Sequence, residues 1–157
     1  MRVFLSLFLI AVSSFTLFAE EKGGEVKYKV FERPYFERND SGFKGNSTYL
    51  HLTDKKAFEA VFGIGRVMGK APELVNDAAF ENGHVIAVIK RGEAITNYKV
   101  QSVKAMGKDL TITYSATMDP PGTATYHSPL IISIDKGKYS SVTFMENGKK
   151  AEKIELK

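Results

Sequence analysis

The chain contains few side chains of the kinds that carry out catalysis, and their spacing matches no common catalytic pattern. The histidines are His51, His84 and His127, and none of them stands at the short spacing typical of paired zinc ligands. Ser128 follows His127, but a serine nucleophile requires a base and an orienting carboxylate that the fold must position, and no Gly-x-Ser-x-Gly motif occurs. We therefore expect a non-catalytic protein without a metal or other cofactor. A carboxylate within hydrogen-bond reach of His84 or His127, in a cleft, would instead favour an enzyme.

Two loops between predicted strands contain the residues that we expect to bind a partner. The first is the tip of a hairpin between an apolar strand and the strand that starts at Tyr98, and the second contains the pair Pro120-Pro121. Proline restricts backbone freedom, and an ordered loop on a β scaffold binds another protein at a lower entropic cost. The predicted binding residues are Gly92, Glu93, Ile95, Thr96, Asn97, Tyr98, Pro120, Pro121, Gly122 and Tyr126.

The chemistry of the first loop suits contact with a polypeptide. Ile95 and Tyr98 would provide apolar contact area, whereas Thr96 and Asn97 would hydrogen-bond the backbone of the partner. This interpretation predicts that the side chain of Tyr98 is accessible at the tip; the alternative is that Tyr98 belongs to the core, in which case Tyr98→Ala would unfold the domain. The alternative interpretation is that both loops are ordinary hairpin connections without a binding role.

The composition excludes several classes of function. The 157 residues include no cysteine, so the chain has no disulfide, no thiolate nucleophile and no thiolate metal ligand. The formal net charge is +4, but lysine alternates with glutamate, as in Lys149-Lys150-Ala151-Glu152-Lys153. That alternation is typical of a solvated surface and not of a surface that follows phosphates, so we expect no nucleic-acid partner.

The N-terminus has the pattern of a secretory signal peptide. Arg2 precedes an apolar core, and Ala19 is a small residue suited to the cleavage site. We predict a signal peptide over residues 1–19 and a single β-rich domain over residues 20–157, in which residues 20–25 form a flexible leader. The alternative is an uncleaved membrane anchor, for which the apolar run is short. After cleavage we expect no membrane insertion, and a location in the bacterial periplasm, at the cell surface or outside the cell.

The hydrophobic pattern predicts a mainly β (α+β) fold, an antiparallel β-sandwich or half-barrel with one amphipathic helix. Thr53 or Asp54 would cap that helix, and a second helical turn is predicted over residues 72–75. The apolar stripe of the helix consists of Ala57, Phe58, Val61 and Phe62. Strands are predicted at residues 26–30, 48–52, 85–89, 98–104, 110–114, 130–134 and 139–145, followed by an edge strand at Ile154 and Leu156.

The same pattern predicts the orientation of individual side chains and the positions of turns. Alternation at residues 26–30 directs Tyr28 towards the core, and alternation at residues 48–52 places His51 on the polar face. Residues 85–89 are apolar on both faces, as in a central strand. A bulge is expected near Gln101-Ser102, a tight hairpin at Asp135–Lys138 and a further turn at Glu146–Lys149.

The same fold is compatible with a second function, the binding of a small ligand or a glycan. A cavity between the helix and the sheet would have a wall of Tyr35, Phe36, Phe58 and Phe62. A deep apolar pocket at these residues would favour ligand binding, and a filled core would remove it.

A run of motifs over less than half of the chain resembles a known family. An apolar strand from Val85 is followed by Gly92-Glu93-Ala94-Ile95-Thr96-Asn97-Tyr98, by Leu110-Thr111-Ile112-Thr113-Tyr114, by Pro120-Pro121-Gly122 and by a strand that starts at Ser128. From Val85 to Phe144 this order is similar to the C-terminal domain of the PrcB family, exported bacterial proteins named for a subunit that stabilises a surface protease complex. Ile95 stands where the family has proline, and Asn97 alone replaces its glycines.

The loop that ends at Tyr98 is also similar to a loop of chagasin-like inhibitors of cysteine proteases. Those inhibitors are immunoglobulin-like sandwiches that insert the loop into the protease cleft. Together the two resemblances imply an exported, non-catalytic protein-binding module whose partner is a protease, which the module stabilises or restrains.

Overall fold

A computed structural model describes residues 23–31, 35–65 and 73–156, and this part of the chain is mainly β, as the hydrophobic pattern predicted. The strands are β1 (Gly24–Glu25), β2 (Tyr28–Phe31), β3 (Tyr35–Glu37), β4 (Ser47–Leu52), β5 (Phe62–Ile64), β6 (Gly83–Gly92), β7 (Thr96–Met106), β8 (Asp109–Met118), β9 (Tyr126–Asp135), β10 (Ser141–Glu146) and β11 (Lys149–Glu155). The helices are α1 (Lys55–Val61) and α2 (Asp77–Glu81).

The strands form two open sheets and a small ribbon. The five-stranded sheet has the order β1-β7-β8-β10-β11, in which only β8 and β10 are parallel. The four-stranded sheet has the order β2-β9-β6-β4 and is antiparallel throughout, and β3 pairs with β5 in the ribbon. Of the two predicted architectures, the chain therefore adopts the sandwich.

Two hydrophobic cores lie on opposite faces of the four-stranded sheet. The sandwich core, between the two sheets, consists of Ile86, Val88, Val103, Leu110, Ile112, Tyr114, Leu130, Ile132, Ile134, Val142 and Phe144. The outer core, under the helices and the ribbon, consists of Phe31, Tyr35, Leu52, Phe58, Val61, Phe62, Val85, Ala87, Ile89 and Ile131. Successive side chains of β6 alternate between these cores, which explains why residues 85–89 are apolar without interruption.

Helix α1 begins at a cap that is visible in the sequence and ends where a tertiary strand pairing starts. The side chain of Asp54 accepts a hydrogen bond from the backbone N–H of Ala57 at 2.8 Å and so caps the first turn. The predicted stripe is buried at Phe58, Val61 and Phe62. The helix stops at Val61 because Phe62 is already in β5, where the backbone pairs with β3.

The second predicted helical turn is wrong over residues 73–75, and Pro72 lies outside the described residues. Helix α2 starts two residues later, with Asn76 as its cap accepting from Ala79 N–H at 3.2 Å. The backbone N–H of Val75 instead donates to the Tyr35 hydroxyl at 2.7 Å. A tertiary hydrogen bond thus competes with the helix at this position.

Two of the predicted hairpins are wrong, because each connection crosses from one sheet to the other. Strand β6 pairs with β4 and β9, whereas β7 pairs with β8 and β1. The connection at residues 93–95 is therefore a crossover and not a hairpin tip. The turn predicted at Asp135–Lys138 is likewise part of a crossover, because β9 belongs to the four-stranded sheet and β10 to the five-stranded sheet.

The predicted bulge, the predicted turn at Glu146–Lys149 and the predicted orientation of Tyr28 have separate outcomes. The bulge is confirmed between Val100 and Ser102. The turn that joins β10 to the edge strand β11 is also confirmed, with positive φ angles of 49° at Asn147 and 78° at Gly148. Tyr28 lies opposite Ile134 on the predicted core-side face of β2, but it stays exposed because it stands at the start of an edge strand.

The described ranges contain no helix with the length and apolarity needed to cross a membrane. The predicted signal peptide lies outside those ranges, as do residues 20–22 of the predicted leader, whereas Gly24–Glu25 of that leader form β1.

Candidate functional site

The two loops that we predicted as contact points lie side by side at one end of the sandwich. The backbone N–H of Asp119 donates to the carbonyl of Ile95 at 3.0 Å, and that of Gly122 donates to the carbonyl of Glu93 at 2.6 Å. The side-chain amide of Asn97 donates to the Asp119 carboxylate at 2.7 Å. We call residues 93–97 and 118–122 together the paired-loop tip. Three hydrogen bonds between the loops hold the tip in one conformation.

The paired-loop tip exposes large apolar side chains. Ile95 is 37% exposed and Met118, which lies opposite Thr96 in the β7–β8 ladder, is 74% exposed. Pro120 and Pro121 are exposed next to them. Met118 was not among the predicted contact residues, although its position just before the proline pair could have indicated it. Apolar side chains that are exposed close together, unlike single ones, are a feature of contact surfaces.

Thr96 and Tyr98 do not lie where the sequence interpretation placed them. Thr96 is buried, and its backbone N–H donates to the Ser128 hydroxyl at 2.9 Å. The ring of Tyr98 packs against the sandwich core, and its hydroxyl donates to the carbonyl of Ser128 at 2.8 Å. Burial, followed by the nearby charge of Glu146, raises the pKa of Tyr98 above its usual range. These two residues therefore tie the loop to β9 and do not project from the tip.

The other predicted residues lie at or beside the tip. Exposed residues are Gly92, Glu93, Ile95, Asn97, Pro120, Pro121 and Gly122, and Tyr126 is half-buried. Tyr126 pairs with Gly92 across β6 and β9, and its hydroxyl would lie only 3.0 Å from a Cβ atom at Gly122. The absence of a side chain at Gly122 thus allows the tyrosine ring to approach the second loop.

The tip contributes to the lining of two grooves. The edge groove, with a volume of about 630 Å³, is lined by Val30, Phe31, Tyr35, residues 95–98 and residues 126–130. A second groove of about 470 Å³ is lined by residues 90–94 of the first loop and by Met118, Asp119 and Pro121 of the second loop, among others. A partner that contacts the tip would therefore find concave surfaces next to it.

A buried ion cluster lies behind the edge groove. Arg91 donates to the carboxylate of Glu37 from Nε at 2.7 Å and from Nη2 at 2.5 Å, and Ser41 Oγ donates to it at 2.6 Å. Nδ1 of His127 lies 2.8 Å from the same carboxylate, whose side chain is only 1% exposed. Burial tends to raise the pKa of Glu37, but hydrogen bonds from Arg91 and Ser41 and the charges of Arg91 and His127 together lower it. The carboxylate is therefore ionised at neutral pH.

This cluster fixes the tautomer of His127. An ionised carboxylate can only accept, so Nδ1 of His127 carries the proton and Nε2 is left as the acceptor or base. His127 lines the edge groove and its side chain is 31% exposed. The arrangement meets the condition that we set for an enzyme. Of the neighbouring serine hydroxyls, Ser41 donates to Glu37, and Ser128 accepts from the backbone N–H of Thr96.

The remaining histidines meet at a different place. Nε2 of His51 and Nδ1 of His84 are 3.3 Å apart on the inner face of the four-stranded sheet, so the prediction that His51 lies on a polar face is wrong. Pairing of β4 with β6 brings these rings together, which sequence spacing could not show. Within the described ranges, no group of three or more histidine, cysteine, aspartate or glutamate side chains could hold a metal ion.

Most of the aromatic residues that we considered as a cavity wall pack against one another. The ring centroids of Tyr35 and Phe58 are 5.2 Å apart, and those of Phe58 and Phe62 are 5.0 Å apart. Phe36 is exposed and lies over Gly63. The small-ligand alternative is therefore not supported at these residues, because their rings occupy the space that a ligand would need.

Comparison with known proteins adds no relative: no protein-family model, no curated protein and no solved structure matches this chain.

Proposed function

We propose that this chain is an exported, non-catalytic protein-binding module that contacts its partner with the paired-loop tip. The observation that carries the proposal is the tip itself, in which two loops are joined by three hydrogen bonds and expose Ile95 and Met118. The signal-type N-terminus supports export to the bacterial periplasm, the cell surface or the medium.

Rigidity of the tip favours binding. A loop that is already ordered loses little conformational entropy when it meets its partner, so more of the contact energy appears as affinity. The apolar pair Ile95 and Met118 would form the centre of the contact, and Asn97 and Glu93 would lie at its polar rim. Thr96 and Tyr98 hold the first loop against β9 from behind.

The partner class that we propose is an exported protease. The resemblance of residues 85–144 to the PrcB family supports this choice, as does the similarity of the first loop to that of chagasin-like inhibitors. The ordered tip would offer Ile95 and Met118 to such a partner.

Capture from the periplasm of the native host tests the proposal, provided that the captured protein is then purified and titrated. Ile95→Asp and Met118→Asp place a charge at the centre of the tip, and each should weaken binding by about 2 kcal/mol, or roughly 30-fold in Kd. Met106→Asp is the matched control, because Met106 is 55% exposed at the opposite end of β7. Equal affinities for all three variants would show that the tip is not the contact surface. A captured protein without protease activity would show that the partner is not a protease, and the tip would remain the proposed contact surface.

The cluster of Glu37 and His127 favours a second candidate function, general-base catalysis in the edge groove. Nε2 of His127 would accept a proton from a water molecule or from a substrate hydroxyl. Hydrolysis of an activated ester by the purified chain tests it: the rate should fall in His127→Gln and should be unchanged in Met118→Asp. A rate equal to that of buffer alone would rule this candidate out.

A further inference from the structure

The contact between His51 and His84 has the geometry of a metal site. The two nitrogens that face each other, Nε2 of His51 and Nδ1 of His84, are 3.3 Å apart. Two nitrogens at bond lengths of 2.0–2.1 Å from a tetrahedral ion are separated by about 3.3–3.4 Å. The usual N–H···acceptor distance of about 2.9–3.0 Å is shorter. The separation therefore fits two ligands of one ion and lies at the long end of the range for a direct hydrogen bond.

The other ring nitrogen of His84 supports the same assignment. Nε2 of His84 lies 3.3 Å from the carbonyl oxygen of Gly137, in the crossover between β9 and β10. A carbonyl can only accept, so the proton of a neutral His84 is on Nε2 and the lone pair of Nδ1 is directed at His51. Metal-binding histidines commonly donate their second N–H to a backbone carbonyl in this way.

The strands hold the two rings in place. His51 lies opposite Ile86 in the β4–β6 ladder, and His84 is two residues from Ile86 on the same face. Diagonal neighbours of this kind are within reach of each other in antiparallel sheets. The rings are tilted by 45° with centroids 5.3 Å apart, and Tyr139 lies 5.9 Å from the His84 ring on its other side.

The pair is not sealed inside the sandwich core, because both histidines are only half-buried.

We propose that His51 and His84 form a two-imidazole site for a late first-row divalent ion such as Zn²⁺, Ni²⁺ or Cu²⁺. Imidazole nitrogen is a preferred ligand of these ions. Among the described residues no third histidine, aspartate or glutamate joins this pair, so the proposed protein ligands are the two imidazoles alone. The site is separate from the paired-loop tip, and its existence does not depend on the proposed function.

Nuclear magnetic resonance of the wild-type chain, prepared without a histidine tag, tests the site directly. Substoichiometric Cu²⁺ is paramagnetic and broadens the imidazole signals that lie closest to it. We expect the signals of His51 and His84 to broaden before those of His127, which bonds Glu37 elsewhere in the fold. Equal broadening of all three signals, or earlier broadening of His127, would overturn the proposal.

Calorimetric titration with Zn²⁺ provides the second test. We expect one ion per chain, and an affinity that falls at least about tenfold in His51→Gln and in His84→Gln, because each variant removes one of two protein ligands. His127→Gln should bind Zn²⁺ as the wild-type chain does. Circular dichroism confirms that each variant is folded. Undiminished binding by the first two variants, or no binding by the wild-type chain up to millimolar Zn²⁺, contradicts the site.

Discussion

Nδ1 of His127 lies 2.8 Å from the carboxylate of Glu37, which places a histidine of β9 against a buried acid of the ribbon. The same carboxylate is bound by Arg91 of β6. Three segments of the chain that are far apart in sequence are thereby joined by one buried charge. The contact also positions the wall of the edge groove.

Loss of the Glu37 charge should destabilise the fold. In Glu37→Gln the guanidinium of Arg91, whose side chain is 9% exposed, loses its anionic partner. Removal of one member of a buried ion pair costs roughly 3–5 kcal/mol. Urea unfolding at neutral pH measures this loss, with Glu59→Gln on the exposed side of α1 as the control. A loss no larger than that of the control would show that the cluster does not stabilise the fold.

The same carboxylate predicts a pH dependence of stability. Although burial opposes it, the bonds from Arg91 and Ser41 lower the pKa of Glu37 in the folded state below its ordinary value of 4.5. The folded state therefore binds this proton less readily than the unfolded state, and the stabilisation is present above 4.5 and is lost as the pH falls through the lowered pKa. The free energy of unfolding of the wild-type chain should fall more steeply below pH 4.5 than that of Glu37→Gln. Parallel curves for the two proteins would contradict the prediction.

Tyr98 should act on stability and not on binding. Tyr98→Phe removes the bond from the hydroxyl to the Ser128 carbonyl, and we expect a loss of about 0.5–1.5 kcal/mol in the free energy of unfolding. Tyr28→Phe is the control, because Tyr28 is exposed. The affinity for the partner should stay within about twofold of the wild-type value, which is the variation expected for a substitution that lies away from the contact. A large loss of affinity without a loss of stability would place Tyr98 in the contact.

Gly83 should tolerate no side chain. A Cβ atom there would clash with the carbonyl oxygen of Ile134 and lie 3.1 Å from that of Ala79, and both are backbone atoms that cannot rotate away. Gly83→Ala should therefore cost about 1–3 kcal/mol by thermal unfolding. Gly92→Ala, at the other end of β6, meets nothing within 4 Å and should be nearly neutral. The prediction fails if the two variants melt together.

Asn97 should contribute to the rigidity of the tip. Asn97→Ala removes the bond to Asp119 at an exposed position, so the free energy of unfolding should change by less than about 0.5 kcal/mol. The Kd for the captured partner should nevertheless rise severalfold, because the free loops gain disorder that binding must remove. Asn82→Ala, at the opposite end of the sandwich, should leave both quantities unchanged. An unchanged Kd for Asn97→Ala would show that the bond does not order the tip.

Sequence reasoning identified the paired-loop tip but not its geometry. It selected Ile95, Asn97 and the proline pair, which the fold does bring together. It placed Tyr98 at an exposed hairpin tip, because a tyrosine between polar residues looks accessible when the strands on either side are assumed to pair. It also could not find Glu37 and Arg91, since nothing in the chain marks which acid meets which base across the fold.

Features that depend on neighbours in the chain were determined by the sequence alone. The Asp54 cap, the bulge after Val100, the turn at Asn147-Gly148 and the two-faced apolar run of β6 follow from backbone preferences and local periodicity. Tertiary structure decided which strands pair, because both faces of β6 must be buried, and that requirement sends residues 93–95 across to the second sheet. The same pairing decided which charges and imidazoles meet, since only the folded sheet brings His127 to Glu37 and His51 to His84.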